Sequence, residues 1–152
     1  MLAFGGKAIG RWPALALVVA GLCLAPAAQG ATRDYRGTFE TGGTARFELT
    51  RKPHRVPKVV NWRWQKLPVT CGDTQGALSG EFYRPWIHVD PDRNFHQTAT
   101  RNDGEGSAEV WGSFPGGWAA AEGTFQILGT TTVGKGCDTG RVAWTAKRVT
   151  GA

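Results

Sequence analysis

The sequence predicts an all-β domain, an antiparallel sandwich or small barrel of seven to nine strands, behind an N-terminal signal peptide. Three observations carry this. Beyond residue 30, apolar and polar residues alternate in short segments, the period of strands with one face buried and one wet. Gly, Pro, Asn and Asp punctuate those segments at the short, regular spacing of sandwiches and barrels. A helical period is almost absent. The length of 152 residues suits one domain. With 41% hydrophobic and 20% charged residues, 22 Gly and 3 Cys, the chain is not a disordered segment, a collagen-like repeat or a cysteine-dense scaffold.

Taken in order, residues 1–30 read as a secretory signal peptide. Lys7 and Arg11 supply a positive start, and an apolar run follows from Ala14 to Ala25. That run is too short for a spanning helix, which needs about 20 apolar residues. Ala28-Gln29-Gly30 and Ala25-Pro26-Ala27 are the candidate cleavage sites. Cys23 follows Leu22, whereas a lipoprotein signal wants a small residue there. Residues 31–152 are then the mature domain, secreted or associated with the cell envelope, with no transmembrane segment. The basic excess is +6 for the whole chain, and removing Lys7 and Arg11 leaves +4.

The strand segments follow. Tyr35, Gly37 and Phe39 alternate with Arg36, Thr38 and Glu40. Thr41-Gly42-Gly43 reads as a hairpin turn. Ala45, Phe47 and Leu49 then alternate with Arg46, Glu48 and Thr50, and Val60, Trp62 and Trp64 with Asn61, Arg63 and Gln65. Further strands are expected at 77–83, 86–89, 94–101, 107–114, 118–128 and 140–148. The alternation places Phe39, Phe47, Val60, Trp62, Phe125, Val142 and Trp144 inside, and Arg46, Glu48, Arg63 and Lys147 outside. Gly37-Thr38-Phe39, Gly80-Glu81-Phe82, Gly112-Ser113-Phe114 and Gly123-Thr124-Phe125 repeat a Gly-x-Phe pattern. Each sets a bulky ring beside a missing side chain, as suits a strongly bent sheet or a neighbouring ring that needs room. Cys71 and Cys137 remain after signal removal, and in an oxidising compartment they are expected to form one disulfide.

The opening Tyr35-Arg36-Gly37-Thr38, the mid-chain Cys71, Ala121-Glu122-Gly123-Thr124-Phe125 and the stretch from Cys137 to Ala146 (CDTGRVAWTA) resemble small secreted, single-disulfide β proteins of high-GC Gram-positive bacteria. High Ala, Gly and Arg usage agrees with such a source. The resemblance implies export, the β fold and the disulfide. It brings no functional residues.

Several constellations bear on function. Asp138-Thr139-Gly140 has the letters of the aspartic-protease triplet, but that chemistry needs a second carboxylate from a similar half; the triplet reads as a turn into the last strand. Asp90, Asp92 and Asn94 open like a calcium loop, yet Phe95 stands at the Gly position and Arg101 at the Glu position. No cofactor is expected and no metal site is assigned; the nearest set of ligands is His88, Asp90, Asp92 and His96. No nucleophile elbow is present, and no catalytic residue is assigned. Trp86, Trp111 and Trp118 fall outside the core pattern and are candidate binding rings, since a flat aromatic face packs on sugar C–H groups. Arg51, Lys52, Arg55 and Lys58 form a basic run whose two prolines favour an extended loop. It suits an anionic polymer; nucleic acid is not expected, because no aromatic interrupts the run. The expected function is therefore a non-catalytic secreted module binding an extracellular or cell-envelope polymer, anionic or polysaccharide. The alternatives are a small secreted hydrolase and an inhibitor-like protein-binding factor.

Overall fold

A computed structural model describes residues 30–82, 86–101 and 103–150. The signal-peptide reading of residues 1–30 falls almost wholly outside them. The strands are β1 (Ala31–Phe39), β2 (Thr44–Arg51), β3 (Lys58–Cys71), β4 (Thr74–Glu81), β5 (Ile87–His88), β6 (Asn94–Thr100), β7 (Gly106–Ser113), β8 (Ala120–Gly129), β9 (Cys137–Asp138) and β10 (Val142–Arg148). Among the described residues there is no helix. The ladders are antiparallel and run β10-β1-β2-β3-β9-β8, and β8 pairs back onto β10 to close a six-stranded barrel. β4 and β5 extend from the other edge of β3, and β7 and then β6 from the other edge of β8. The expected all-β barrel is therefore present, with ten strands among the described residues rather than seven to nine; the two-residue β9, which completes the ring, was not expected from the sequence.

Inward rows fill the barrel with aromatic rings. Tyr35 stacks on Phe47 at 4.8 Å, Phe47 on Trp62 at 4.9 Å, and Trp62 meets the edge of Trp144 at 4.7 Å. Burial of such large rings dominates the energetics of a small core. The Gly-x-Phe glycines make the room that this needs. A Cβ on Gly80 would stand 2.6 Å from the Trp64 ring, and one on Gly112 would stand 2.2 Å from the Phe95 ring. On Gly37 and Gly123 it would meet backbone oxygens of the adjoining strands, at 1.8 and 1.9 Å. Two of the four therefore accept a ring, and two let strands approach closely.

Two residues, Val60 and Glu48, depart from the alternation. Val60 is only half-buried, and Val59 holds the core position. The cause is a bulge at Asn61, which adopts φ 55° and shifts the β2–β3 register between Arg46 and Glu48. An inserted residue flips the faces on either side of it. Glu48 is consequently half-buried rather than exposed, and accepts a hydrogen bond from Asn61 Nδ2 at 2.9 Å. A second bulge at Lys66, φ 54°, lets both Trp64 and Leu67 point inward. The disulfide joins Cys71 and Cys137, directly opposed residues of β3 and β9 with Cα atoms 3.9 Å apart.

Antiparallel order gives the barrel two distinct ends. β1, β3, β6 and β8 begin at one end, where β2, β7 and β10 finish. At the other lie the hairpins at 40–43 and 101–105 and the disulfide.

Candidate functional site

At the first end, the inward rows of β1, β2 and β10 each finish in a cation. Along β1 the inward residues are Phe39, Gly37, Tyr35 and then Arg33; along β2, Phe47, Leu49 and then Arg51; along β10, Trp144, Ala146 and then Arg148. Side chains two apart in a strand share a face, so Arg33, Arg51 and Arg148 gather over the buried Tyr35. All three arginines are solvent-exposed. Burial pushes the Tyr35 phenol above its usual pKa, while the positive charges of Arg148, Arg51 and Arg33 pull the other way. The phenol donates to the backbone carbonyl of Trp118. The Trp118 ring packs on Phe114 at 5.0 Å, and the Arg51 guanidinium lies 4.6 Å from its centre.

The basic run leads away from Arg51. Lys52 O accepts from Arg55 N at 3.2 Å, and His54 takes a left-handed φ of 56°. The segment therefore turns back on itself, correcting the extended loop expected from its prolines. Lys52 and Arg55 stay exposed, as does Val56 at 54%. The run ends at Lys58, whose ammonium lies 4.8 Å from the centre of the Trp86 ring; Trp86 is itself 48% exposed. Trp118 and Trp86 thus bracket the basic run, each with one of its cations on a ring face. Among the described residues the ion pairs are Arg46–Asp34, Arg63–Glu81, His96–Glu109 and Arg101–Asp103. None takes Arg33, Arg51, Lys52, Arg55, Lys58 or Arg148. Arg33 and Arg148 were missed by sequence reasoning; their signal was their position one step beyond the last buried residue of an inward row.

Trp111 lies apart, on the outer wall. His96 of β6 stacks on it at 5.1 Å with planes 11° apart, and Arg141 lies 4.3 Å from its centre. β6 and the start of β10 flank Trp111 from opposite sides, so its two faces are covered. Glu109 Oε1 bonds His96 Nε2 at 2.5 Å and accepts from Thr98 Oγ1 at 3.2 Å. Beside this cluster is a shallow depression of about 680 Å³, into which His88, Asp90, His96 and Glu122 face. The tryptophans do not share one platform: among the described residues none of Trp86, Trp111 and Trp118 is in ring contact with another.

The remaining sequence candidates are accounted for locally. Asp90 caps the turn to β6, accepting Asn94 N on its side chain at 2.8 Å and Arg93 N on its carbonyl at 2.9 Å, while Asp92 sits exposed at the tip. His88, Asp90 and His96 line one depression, but among the described residues no group of three or more His, Cys, Asp or Glu is placed to hold a metal ion. Asp138 of the Asp-Thr-Gly triplet accepts from Gly140 N at 2.6 Å and Gln126 Nε2 at 3.3 Å, and Thr139 Oγ1 accepts from Ile127 N at 2.9 Å. That is a turn fastened to β8. In comparisons with family models, curated proteins and solved structures, the chain matches none.

Proposed function

We propose that this is a non-catalytic secreted module that binds an anionic polymer of the cell envelope with the basic end of its barrel. The observation that carries the reading is the convergence of Arg33, Arg51 and Arg148 over Tyr35 and Trp118, continued by Lys52, Arg55 and Lys58. These cations make no ion pair among the described residues, so their field is open to an external polyanion. Each cation near an anionic surface is worth about 1 kcal/mol and is screened by salt. Trp86 and Trp118 hold Lys58 and Arg51 on their faces, which favours a charged polymer over stacking on a neutral sugar. The disulfide fits an oxidising compartment, as the signal peptide implies.

The test is binding of mature protein to poly(glycerol phosphate) and to polygalacturonate, with a neutral glucan as control. Binding to at least one polyanion at low salt is expected, lost at about 1 M salt. The double variant Arg33→Glu/Arg51→Glu should weaken it by about tenfold or more. Absence of binding to both polyanions, or binding indifferent to the double variant, overturns the reading.

One observation favours the hydrolase alternative, the His96–Glu109 contact beside a depression that also holds Asp90 and Glu122. A histidine oriented by a carboxylate is a general-base arrangement. Here the ring lies flat on Trp111, which is equally a packing role. Release of reducing ends or phosphate from these polymers, abolished by His96→Ala, would establish the hydrolase instead.

A further inference from the structure

The basic end of the barrel also holds apolar side chains in water. Among the described residues the exposed large hydrophobics are Val56, Trp86, Val149 and Leu128. Leu128 stands near the finish of β8, at the disulfide end. The other three stand at the basic end: in the β2–β3 connection, just before β5 and just after β10. Single exposed apolar residues are ordinary. Three at the one end where the cations gather are not a random scatter.

Val56 and Trp86 are built into the basic run. Arg55 N on Lys52 O closes the turn before Val56, and Pro57 O, which accepts from Val89 N at 3.0 Å, fastens the chain after it. Val56 is therefore presented to solvent by a loop tied on both sides. Lys58 pairs with His88 of β5, and its ammonium lies over the Trp86 ring. A dissolved polyanion would give the cations partners but leave Val56 and Trp86 in water. The surface of an anionic bilayer serves both, because lipid phosphates take the cations and the headgroup layer takes indole and apolar side chains.

The path of the chain leads to the same surface. Gly30 lies against the basic run: a Cβ there would stand 2.6 Å from Lys52 Cγ and 3.2 Å from Arg51 O. The apolar run read as part of an export signal ends at Ala25, five residues before Gly30. Five residues span at most about 18 Å. While that run occupies a membrane, the basic end is the part of the domain nearest to it.

We propose that the basic end docks on a bilayer of anionic phospholipid, with Val56 and Trp86 entering the headgroup layer and the cations of residues 51–58, with Arg33 and Arg148, on the lipid phosphates. The inference rests on the polyanion reading for those cations being open to an external anion, and it adds a partner that also takes the apolar pair.

The experiment is sedimentation of the mature protein with vesicles of equal parts phosphatidylglycerol and phosphatidylcholine, and with phosphatidylcholine vesicles alone. The anionic vesicles should carry the protein down at about 0.1 M salt, and the neutral ones should not. A nitroxide on the lipid headgroup should quench the tryptophan fluorescence of bound protein, and Trp86→Phe should lose much of that quenching while still binding. Val56→Ser/Trp86→Ser should weaken vesicle binding by about tenfold or more and leave binding to poly(glycerol phosphate) unchanged. Val56→Ser alone, at about threefold, reads the same point if the double variant does not fold. The inference fails if folded protein ignores anionic vesicles or binds neutral ones equally well. It fails too if Trp86→Phe is quenched as strongly as wild type, or if a folded apolar variant binds vesicles as tightly. Polymer binding without vesicle binding removes this inference alone; vesicle binding without polymer binding removes the polymer reading alone.

Discussion

The two ends of this barrel are built from the same alternating strands and finish differently. At one end the inward rows run from Tyr35, Leu49 and Ala146 into Arg33, Arg51 and Arg148. At the other they run into Ala99, Ala108 and Ile127, beside a disulfide between neighbouring strands. The basic end is held by ring packing and by the Tyr35 hydrogen bond, with like charges gathered above it. The disulfide end has short hairpins and a covalent link, with an open seam between β4 and β6. The lesson is that strand alternation fixes which side chains share a face, whereas the last residue of each row decides what that face offers to solvent. Stability and the basic site should therefore be separable by substitution.

The largest expected effect is at the disulfide end. Cys71→Ser removes the link and should cost about 2–5 kcal/mol in urea unfolding, yet leave polyanion affinity of the folded fraction unchanged. A matching loss of affinity would show that the ends are coupled. Next comes Gly37→Ala, at a strand contact between them. Its new Cβ would stand 1.8 Å from Thr145 O, so β1 and β10 must move apart, at a cost of about 1–3 kcal/mol. Since Tyr35 and Arg148 pair in that same ladder, this substitution should disturb the basic end as well.

Tyr35→Phe is smaller and tests the basic end from beneath. Losing the donation to Trp118 O should cost about 1 kcal/mol at neutral pH. The pH dependence has a definite sign. The folded pKa lies above the unfolded one, so the folded state holds the phenolic proton more tightly. That stabilisation is complete below the unfolded pKa, about 10, and is lost as pH rises through the folded value. Wild type should thus lose stability in alkali faster than Tyr35→Phe in paired denaturation series; equal slopes would remove the burial argument. The smallest effect is Arg141→Ala on the outer wall. It uncovers one face of Trp111 and should cost no more than about 1 kcal/mol, with no change in polyanion binding.

Much of the wall was legible in the sequence because period-two alternation is a local property. Phe39, Phe47, Trp62, Phe125, Val142 and Trp144 are buried as alternation requires. Val60 is not, because a bulge is settled by how β2 and β3 align, and nothing local to Asn61 announces it. β9 was missed for a related reason. Cys137-Asp138 is too short to show a period and becomes a strand only by bridging β3 and β8. The candidate site was partly legible: the basic run and the tryptophans were visible as residues, but their pairing across long sequence separations was not. Arg51 meets Trp118, and Lys58 meets Trp86, only after β2, β3 and β5 are brought together.

By itself, the sequence determined the all-β character, the strand faces and the two cysteines available to pair, because each follows from residue type and short spacing. The tertiary structure alone decided that three arginines from three strands converge over one tyrosine, and that β4 and β6 leave a seam above an apolar floor. Both depend on closure and register, which are set by the sum of long-range strand pairings and ring packing rather than by any segment's own preference.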